Sequence, residues 1–141
     1  MKVLVAEDNP INLQLVLTLL RKMGLDPKSA SNGLEVLEAM EKQAFDLIFM
    51  DLQMPEMDGL TATRKIRSDE AIQPQPVIIA LTANALPEDE ARCREAGMED
   101  FIAKPVRPGV LEEKLAQWGA VALKRRPSQV SQQDYTPKAT G

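Results

Sequence analysis

Four apolar runs in this sequence each lead into polar residues that could do chemistry. The runs end at Glu7 and Asp8, at Asp51, at Thr82 and at Lys104. If these runs are parallel strands of one sheet, their carboxyl ends meet at one edge, which is where ligands collect in open α/β sheets. We therefore expect three carboxylates, a hydroxyl and an ammonium group to lie close together.

Three neighbouring carboxylates raise one another's pKa unless a cation lies between them. Oxygen ligands without histidine or thiolate suit a hard ion such as Mg²⁺, which needs few carboxylates and keeps several waters. A carboxylate beside such an ion, an ammonium group and a hydroxyl can attack phosphorus and form an acyl phosphate. The predicted chemistry is phosphoryl transfer, in which the cations neutralise charge on the phosphoryl oxygens.

Each of these residues also has an ordinary structural interpretation. Glu7 and Asp8 can cap the helix that follows and interact favourably with its dipole. Asp51 can be a solvated loop residue or a helix cap. Thr82 can bond to its own backbone at a strand end, and Lys104 can be a solvated loop charge. The occurrence of all of them at four strand ends favours the chemical interpretation.

Composition describes an ordinary globular domain. The chain has 141 residues, of which 44% are hydrophobic and 27% charged, enough for one domain and a short tail. The net charge is −4 without a basic run, so we expect no direct nucleic-acid binding. The first apolar run, Val3–Ala6, is too short for a signal peptide or a membrane span. The single cysteine, Cys93, favours a reducing compartment, so we expect a cytoplasmic location without membrane contact.

The sequence contains no histidine. Within these residues, this excludes a Ser-His-Asp triad, a histidine metal site and a phosphohistidine. A phosphoryl group can reach this chain from histidine only if another molecule, or a segment outside this sequence, supplies the histidine.

Apolar runs alternate with segments of helical spacing, which is typical of a parallel α/β fold. The runs are Val3–Ala6, Leu47–Met50, Val77–Leu81 and Phe101–Ala103. A weaker strand is expected over Pro27–Ser31 at a sheet edge, where proline and lysine are tolerated.

Five helices are expected between and after these strands. They begin near Asn9-Pro10, Gly33, Asp58, Pro87 and Pro108. The fourth helix ends at Gly97 and has a thin apolar face, so we expect it to be loosely held. The sequence becomes polar near Lys124, so we expect a domain over residues 1–123 and a disordered tail or linker over residues 124–141.

Four segments resemble, in order and spacing, the motifs of response-regulator receiver domains. They are VLVAEDNPIN, DLIFMDLQMPEMDG, VIIALTANA and DFIAKPV, and the resemblance covers roughly residues 1–120. It implies a flavodoxin-like (βα)5 three-layer sandwich with parallel strands in the order 2-1-3-4-5. The motifs are most similar to receivers attached to hybrid sensor histidine kinases.

The resemblance implies a role for each acidic residue at the predicted edge. Asp51 is the phosphoryl acceptor. Mg²⁺ is held by Glu7, Asp8 and Asp51, together with the backbone carbonyl of Gln53.

The same resemblance implies roles on the last two strands. Thr82 hydrogen-bonds one phosphoryl oxygen and Lys104 pairs with another. Phe101 takes the place of the aromatic switch residue, although core packing is an equally open interpretation of this side chain. The peptide bond between Lys104 and Pro105 is expected to be cis.

By this resemblance, the domain takes a phosphoryl group from a phosphohistidine and switches a partner. The donor is a histidine kinase or a histidine phosphotransfer protein, and the partner can be kinase domains of the same parent chain. Self-catalysed phosphorylation and dephosphorylation are the only enzymatic activities implied for the domain itself.

Three other functions are weighed against this one. A Mg²⁺-dependent aspartyl-phosphate phosphatase of the haloacid dehalogenase type usually needs a second Asp two residues after the nucleophile, where this chain has Gln53. A degenerate receiver that binds partners without phosphorylation does not need the complete residue set found here. A nucleotide-binding flavodoxin-like protein needs a glycine-rich phosphate loop after the first strand, and the sequence has none there.

Overall fold

Five parallel strands form one sheet in the computed structural model, which describes residues 1–84 and 86–126. The strand order is β2-β1-β3-β4-β5, as predicted. The strands span Val3–Ala6 (β1), Lys28–Ala30 (β2), Leu47–Asp51 (β3), Val77–Thr82 (β4) and Asp100–Ala103 (β5).

The register of the sheet aligns the carboxyl ends of its strands. Asp51, the last residue of β3, pairs with Leu81, and Thr82, the last residue of β4, pairs with Ala103. Every residue of β1, β3 and β4 is buried, because helices cover both faces of a parallel sheet. Polar residues that directly follow these strands therefore meet at one edge.

Five helices connect and flank the strands, and they begin where the sequence predicts. They span Pro10–Lys22 (α1), Gly33–Lys42 (α2), Gly59–Ser68 (α3), Pro87–Ala96 (α4) and Pro108–Lys124 (α5). Asn9, Asn32 and Asp58 cap the first three helices, each accepting hydrogen bonds from free backbone amides of the first turn.

Alternate strand residues point to two hydrophobic clusters, one on each face of the sheet. Val3, Val5 and Phe49 pack with residues of α1 and α5. Leu4 and Ile48 pack on the other face with residues of α2, α3 and α4. The result is the three-layer flavodoxin-like sandwich that the sequence predicts. None of the helices within the described ranges is long and apolar enough to cross a membrane.

Two regions differ in extent from the sequence-based expectation. The edge strand β2 has only three residues, shorter than the predicted Pro27–Ser31. Helix α5 continues through Lys124, and Arg125 and Arg126 hydrogen-bond to the folded domain. Folded structure therefore extends three residues past the predicted boundary at residue 123, because the two arginines hydrogen-bond to carboxylates that are distant in sequence. The rest of the predicted tail, residues 127–141, lies outside the described residues.

Helix α4 has the thin apolar face that the sequence predicts. Only Cys93 and Ala96 are buried on it. Its exposed side carries two ion pairs along the helix, between Arg92 and Asp89 and between Arg94 and Glu90. Exposed pairs of this kind add little stability, so the prediction that α4 is loosely held stays a prediction.

Candidate functional site

Three carboxylates meet at the carboxyl edge of the sheet. Oxygen atoms of Glu7, Asp8 and Asp51 all lie within 4.8 Å of one another. Glu7 and Asp51 are buried, with 1% and 4% of their surface exposed, whereas Asp8 is exposed. This is the cluster that the ends of β1 and β3 predict.

Lys104 lies against two of these acids. Its Nζ is 2.8 Å from Glu7 Oε1 and 3.1 Å from Asp51 Oδ2. The amide of Lys104 donates to Thr82 O at 2.8 Å, which continues the pairing of β5 with β4 past the strand end. The peptide bond between Lys104 and Pro105 is cis.

Backbone contacts hold the two buried acids in place. The amide of Glu7 donates to Ala30 O at 3.0 Å, so Glu7 remains attached to β2 one residue past β1. Gly59, the first residue of α3, lies so close to β3 that a Cβ atom there would collide with the carbonyl oxygen of Asp51. Helix α3 therefore packs directly against the end of β3.

Burial controls the charge state of Glu7. Burial and the neighbouring Asp51 carboxylate together raise the pKa of Glu7 to about 7, against the lowering effects of Lys104 and of the hydrogen bond from the Asn9 amide. Burial by itself lowers the pKa of Lys104, but the contacts with both carboxylates outweigh it and raise that pKa above its usual value. The site thus holds more negative charge than one ammonium group satisfies.

The buried Glu7 carboxylate shares its cation with a second acid. Glu7 Oε1 lies 2.8 Å from Lys104 Nζ, which also contacts Asp51. The other oxygen, Oε2, accepts from the amide of Asn9 at 3.1 Å. A buried carboxylate that shares one ammonium group with a second acid and lies close to a third fits a hard cation.

The β3–α3 loop (residues 52–58) forms one wall of a cleft of about 810 Å³ around the acids. Gln53 is exposed in this loop and lines the cleft, and its amide donates to Asp51 Oδ1 at 3.2 Å. The structure therefore places Gln53 beside the acids, and the ligand role of its carbonyl stays a prediction. The Gln53 amide donates a hydrogen bond to one carboxylate oxygen of Asp51, and Lys104 contacts the other.

Thr82 is buried at the cleft, and its hydroxyl group is engaged by local backbone. Oγ1 donates to Asn84 O at 2.6 Å and accepts from Asn84 N at 3.1 Å. These hydrogen bonds lie at the start of the β4–α4 connection. They match the ordinary structural interpretation of a threonine at a strand end. The side chain still lines the cleft with Asp51 and Lys104.

Phe101 lies away from the acids. Its side chain is half-buried and packs against the cluster beneath α2, α3 and α4. Within the described ranges it does not line the cleft. The structure thus shows the core-packing interpretation of Phe101, and any switching role acts from a distance.

Three further cleft residues were not predicted from the sequence. Asn12 lines the cleft from α1, and Asp89 and Arg92 line it from α4. Asn12 lies in the first turn of α1, directly after the strand end that carries Glu7 and Asp8, so the position of the helix start could have identified it. Asp89 and Arg92 form an ion pair along the helix. In the sequence such a pair cannot be distinguished from any solvated ion pair.

The family model of the response regulator receiver domain matches residues 3–116. The chain belongs to the response regulator receiver family. The match covers all five strands and the cleft residues described above. Glu7, Asp51, Thr82 and Lys104 therefore converge within a receiver domain of two-component signalling.

Relatives of this receiver include large kinases. The chain is 40% identical to hybrid signal transduction histidine kinase L of Dictyostelium discoideum over 123 residues, which is 84% of this chain. The match spans only 7% of the length of that relative.

Two solved structures are also similar to this receiver. One is the receiver domain of sensor histidine kinase PA1611 from Pseudomonas aeruginosa PAO1, with a magnesium ion in its active-site cleft. It is 39% identical, with a TM-score of 0.75, 83% of this chain and 95% of that chain covered. The other is the receiver domain of Ssk1 in a co-crystal with the histidine phosphotransfer protein Ypd1 from Saccharomyces cerevisiae. It is 34% identical, with a TM-score of 0.80, 85% of this chain and 89% of that chain covered.

Proposed function

We propose that this receiver domain accepts a phosphoryl group from a phosphohistidine onto Asp51 in a two-component phosphorelay. The observation that carries the proposal is the position of Lys104, whose ammonium group contacts both Asp51 and Glu7 at the edge of the cleft. A cation beside a carboxylate that lines a cleft is what a phosphoryl acceptor needs.

In the proposed reaction, an oxygen of Asp51 forms a bond to phosphorus. The bond between phosphorus and the donor imidazole nitrogen breaks, and its electron pair remains on that nitrogen; the other ring nitrogen carries a proton, so the imidazole leaves in its neutral form. The products are an acyl phosphate on Asp51 and a free histidine on the donor. Lys104 stays within reach of the phosphoryl oxygens and stabilises their charge.

The proposal includes Mg²⁺, held by Glu7, Asp8, Asp51 and the backbone carbonyl of Gln53. When bound, the ion supplies positive charge that offsets the phosphoryl oxygens. The donor set supports this, because it contains only oxygens and includes two buried carboxylates, Glu7 and Asp51, that share one ammonium group. The magnesium ion in the cleft of the related PA1611 receiver supports it as well.

Thr82 and Phe101 carry the proposed response to phosphorylation. The Thr82 hydroxyl group exchanges its hydrogen bond to Asn84 O for one to a phosphoryl oxygen. This moves the end of β4 and changes the packing of Phe101 on the neighbouring β5, favouring a conformation that already exists as a minor state. The pairing of Ala80 with Phe101 supports this, because it brings β4 and β5 into direct contact.

The proposed partners are a histidine kinase or a histidine phosphotransfer protein. The co-crystal of the Ssk1 receiver with Ypd1 supports this kind of partner, and the hybrid kinase relative supports kinase domains within one parent chain. A cytoplasmic location belongs to the same proposal, because a single cysteine favours a reducing compartment. Self-catalysed phosphorylation and dephosphorylation are the only enzymatic activities proposed for the domain.

Phosphorylation by a small donor tests this function. The domain is incubated with phosphoramidate and Mg²⁺, and its intact mass is recorded. We expect a gain of one phosphoryl group that Asp51→Asn abolishes and that omission of Mg²⁺ slows. An unchanged mass, together with failure to take up beryllofluoride, supports a degenerate receiver instead. Appreciable turnover of phosphomonoesters that is lost in Asp51→Asn supports a phosphatase.

A further inference from the structure

In the part of the chain that the structure describes, hydrogen bonds join the β3–α3 loop to the sheet and to α3 at its two ends. At its start, the amide of Leu52 donates to a carbonyl of β4 at 3.2 Å and the amide of Gln53 donates to Asp51. At its end, the side chain of Asp58 caps α3. The backbone in the middle of the loop needs a further contact if it is to keep one conformation.

That middle contains a strained turn. The amide of Met57 donates to Pro55 O at 2.6 Å, and Glu56 between them has a φ angle of 66°. A hydrogen bond across one residue with positive φ is the geometry of a γ-turn, which is rare for a residue with a side chain. Such a conformation persists only where the surrounding structure enforces it.

Gly33 at the start of α2 provides the support. Its amide donates to Met57 O at 2.8 Å. Among residues 1–84 and 86–126, this is the one hydrogen bond that joins residues 53–58 to an element other than β3 or α3. The contact therefore connects α2 to the strained turn and, through it, to the wall of the cleft.

The contact requires a residue without a side chain. A Cβ atom on Gly33 would lie 2.7 Å from Met57 O and 2.8 Å from Met57 Cβ, whereas ordinary contact begins at 3.4 Å. Since Gly33 does not have a positive φ angle, its backbone conformation does not require glycine. Met57 O accepts the hydrogen bond from Gly33 and is also an atom that a Cβ on residue 33 would collide with. A larger residue at this position must therefore push the loop outward.

The start of α2 is well fixed. Asn32 Oδ1 accepts from the amide of Glu35 at 2.9 Å, and Glu35 Oε1 accepts from the amide of Ser31 at 2.8 Å. These reciprocal bonds form a cap of the capping-box type. When a side chain is added at Gly33, the loop is therefore the part that moves.

We infer that Gly33 is a positioning residue for the metal and phosphoryl site, acting through the β3–α3 loop. The inference rests on the proposed function, because Gln53, the proposed carbonyl ligand, lies in this loop between the strand end and the turn. Displacing Met57 shifts the backbone that presents the Gln53 carbonyl. Groups that orient metal ligands typically change metal affinity about 10-fold to 100-fold when they are removed.

The test compares Gly33→Ala with two controls. Gly109→Ala adds the same atom in the first turn of α5, where no described heavy atom lies within 4 Å. Ala120→Gly lowers the stability of α5 at an exposed position away from the cleft. Mg²⁺ affinity is measured by calorimetry, and amide hydrogen exchange at Gln53 and Met57 is measured in metal-free protein.

We expect Gly33→Ala to weaken Mg²⁺ binding about 10-fold to 100-fold and to speed exchange at both amides. Both controls should keep the parent affinity and the parent exchange rates at these amides. The inference is overturned if Gly33→Ala binds Mg²⁺ as the parent does, or if Ala120→Gly weakens binding equally. If the parent itself binds no Mg²⁺, the proposed function fails, and hydrogen exchange alone decides whether Gly33 holds the loop.

Discussion

The ammonium group of Lys104 lies 2.8 Å from the carboxylate of Glu7, a side chain with only 1% of its surface exposed. Removing one partner of a buried ion pair leaves the other charge uncompensated, which typically costs about 3 kcal/mol or more. Because Asp51 shares the same ammonium group, Lys104 balances two acids at once. Several properties of the site follow from this balance.

Replacement of Lys104 by methionine should make the folded protein depend on Mg²⁺. Without the ammonium group, Glu7 and Asp51 are left facing each other, so we expect a loss of about 3 kcal/mol in the metal-free free energy of unfolding at pH 8. Added Mg²⁺ should then stabilise Lys104→Met more than the parent, because the ion takes over part of the missing charge. Urea unfolding with and without Mg²⁺ measures both effects. Equal stabilisation of the two proteins by Mg²⁺ argues against an ion among these acids.

Glu7 should make Mg²⁺ binding depend on pH. Burial and Asp51 raise its pKa from 4.5 to about 7, so in the metal-free protein its contribution to stability is full below about pH 4.5 and is lost as pH rises to about 7. A bound cation needs the carboxylate form, so Mg²⁺ affinity should rise with pH through this range. Calorimetry from about pH 5.5 to about pH 8, which brackets a pKa of about 7, measures the trend.

Glu7→Gln is the matched control for this pH dependence. It keeps the shape of the side chain and cannot lose a proton. The variant should bind Mg²⁺ weakly and with little change across the same pH range. If the Mg²⁺ affinity of the parent protein does not change with pH, the prediction that Glu7 gains a proton in this range is wrong.

Asp100 should stabilise the fold in a charged form. Burial raises its pKa, but hydrogen bonds from Lys114 Nζ at 2.7 Å and Trp118 Nε1 at 2.8 Å outweigh burial and lower the pKa below 3.8. We expect Asp100→Asn to cost about 1–3 kcal/mol at pH 7. Trp118 fluorescence during urea unfolding measures this cost, with the exposed Glu112→Gln as a control.

The sign of the acid dependence of Asp100 follows from its lowered pKa. Its contribution to stability is present above about pH 3.8 and is lost as pH falls through the lower pKa of the folded state. The stability difference between the parent and Asp100→Asn should therefore narrow below that pH. A difference that stays constant into acid would show that the Asp100 charge is not what stabilises this contact.

The two arginines after α5 should contribute measurably to stability. Arg125 donates to Glu99 Oε2 at 2.9 Å, and Arg126 Nε donates to Asp46 Oδ1 at 2.8 Å. Because both arginine side chains are partly exposed, each alanine substitution should cost only about 0.5–1 kcal/mol. Lys124→Ala is the neighbouring control and should cost less. Substitutions without effect would put the end of the folded domain back near residue 123.

Local sequence patterns predicted a parallel α/β fold and the meeting of acids, a hydroxyl and an ammonium group at one edge, while the strand order and the role of each residue came from the family resemblance. The run Leu47–Met50, which ends at Asp51, predicts a buried strand with a polar residue at its carboxyl end. Parallel pairing of the strands then predicts that Lys104 lies close to Asp51. The contacts of Arg125, Arg126 and Gly33 could not be predicted in this way. Their partners are distant in sequence, and a glycine at a close approach looks like any glycine at a helix start.

The most direct measurement of the central claim is phosphoryl transfer from a protein phosphohistidine. A histidine phosphotransfer protein is phosphorylated on its histidine and mixed with this domain and Mg²⁺. Borohydride reduction followed by peptide mass spectrometry then identifies the labelled residue. The proposed function predicts loss of phosphate from the donor and label at Asp51, with no transfer to Asp51→Asn. Label at another residue, or equal transfer to Asp51→Asn, would contradict it.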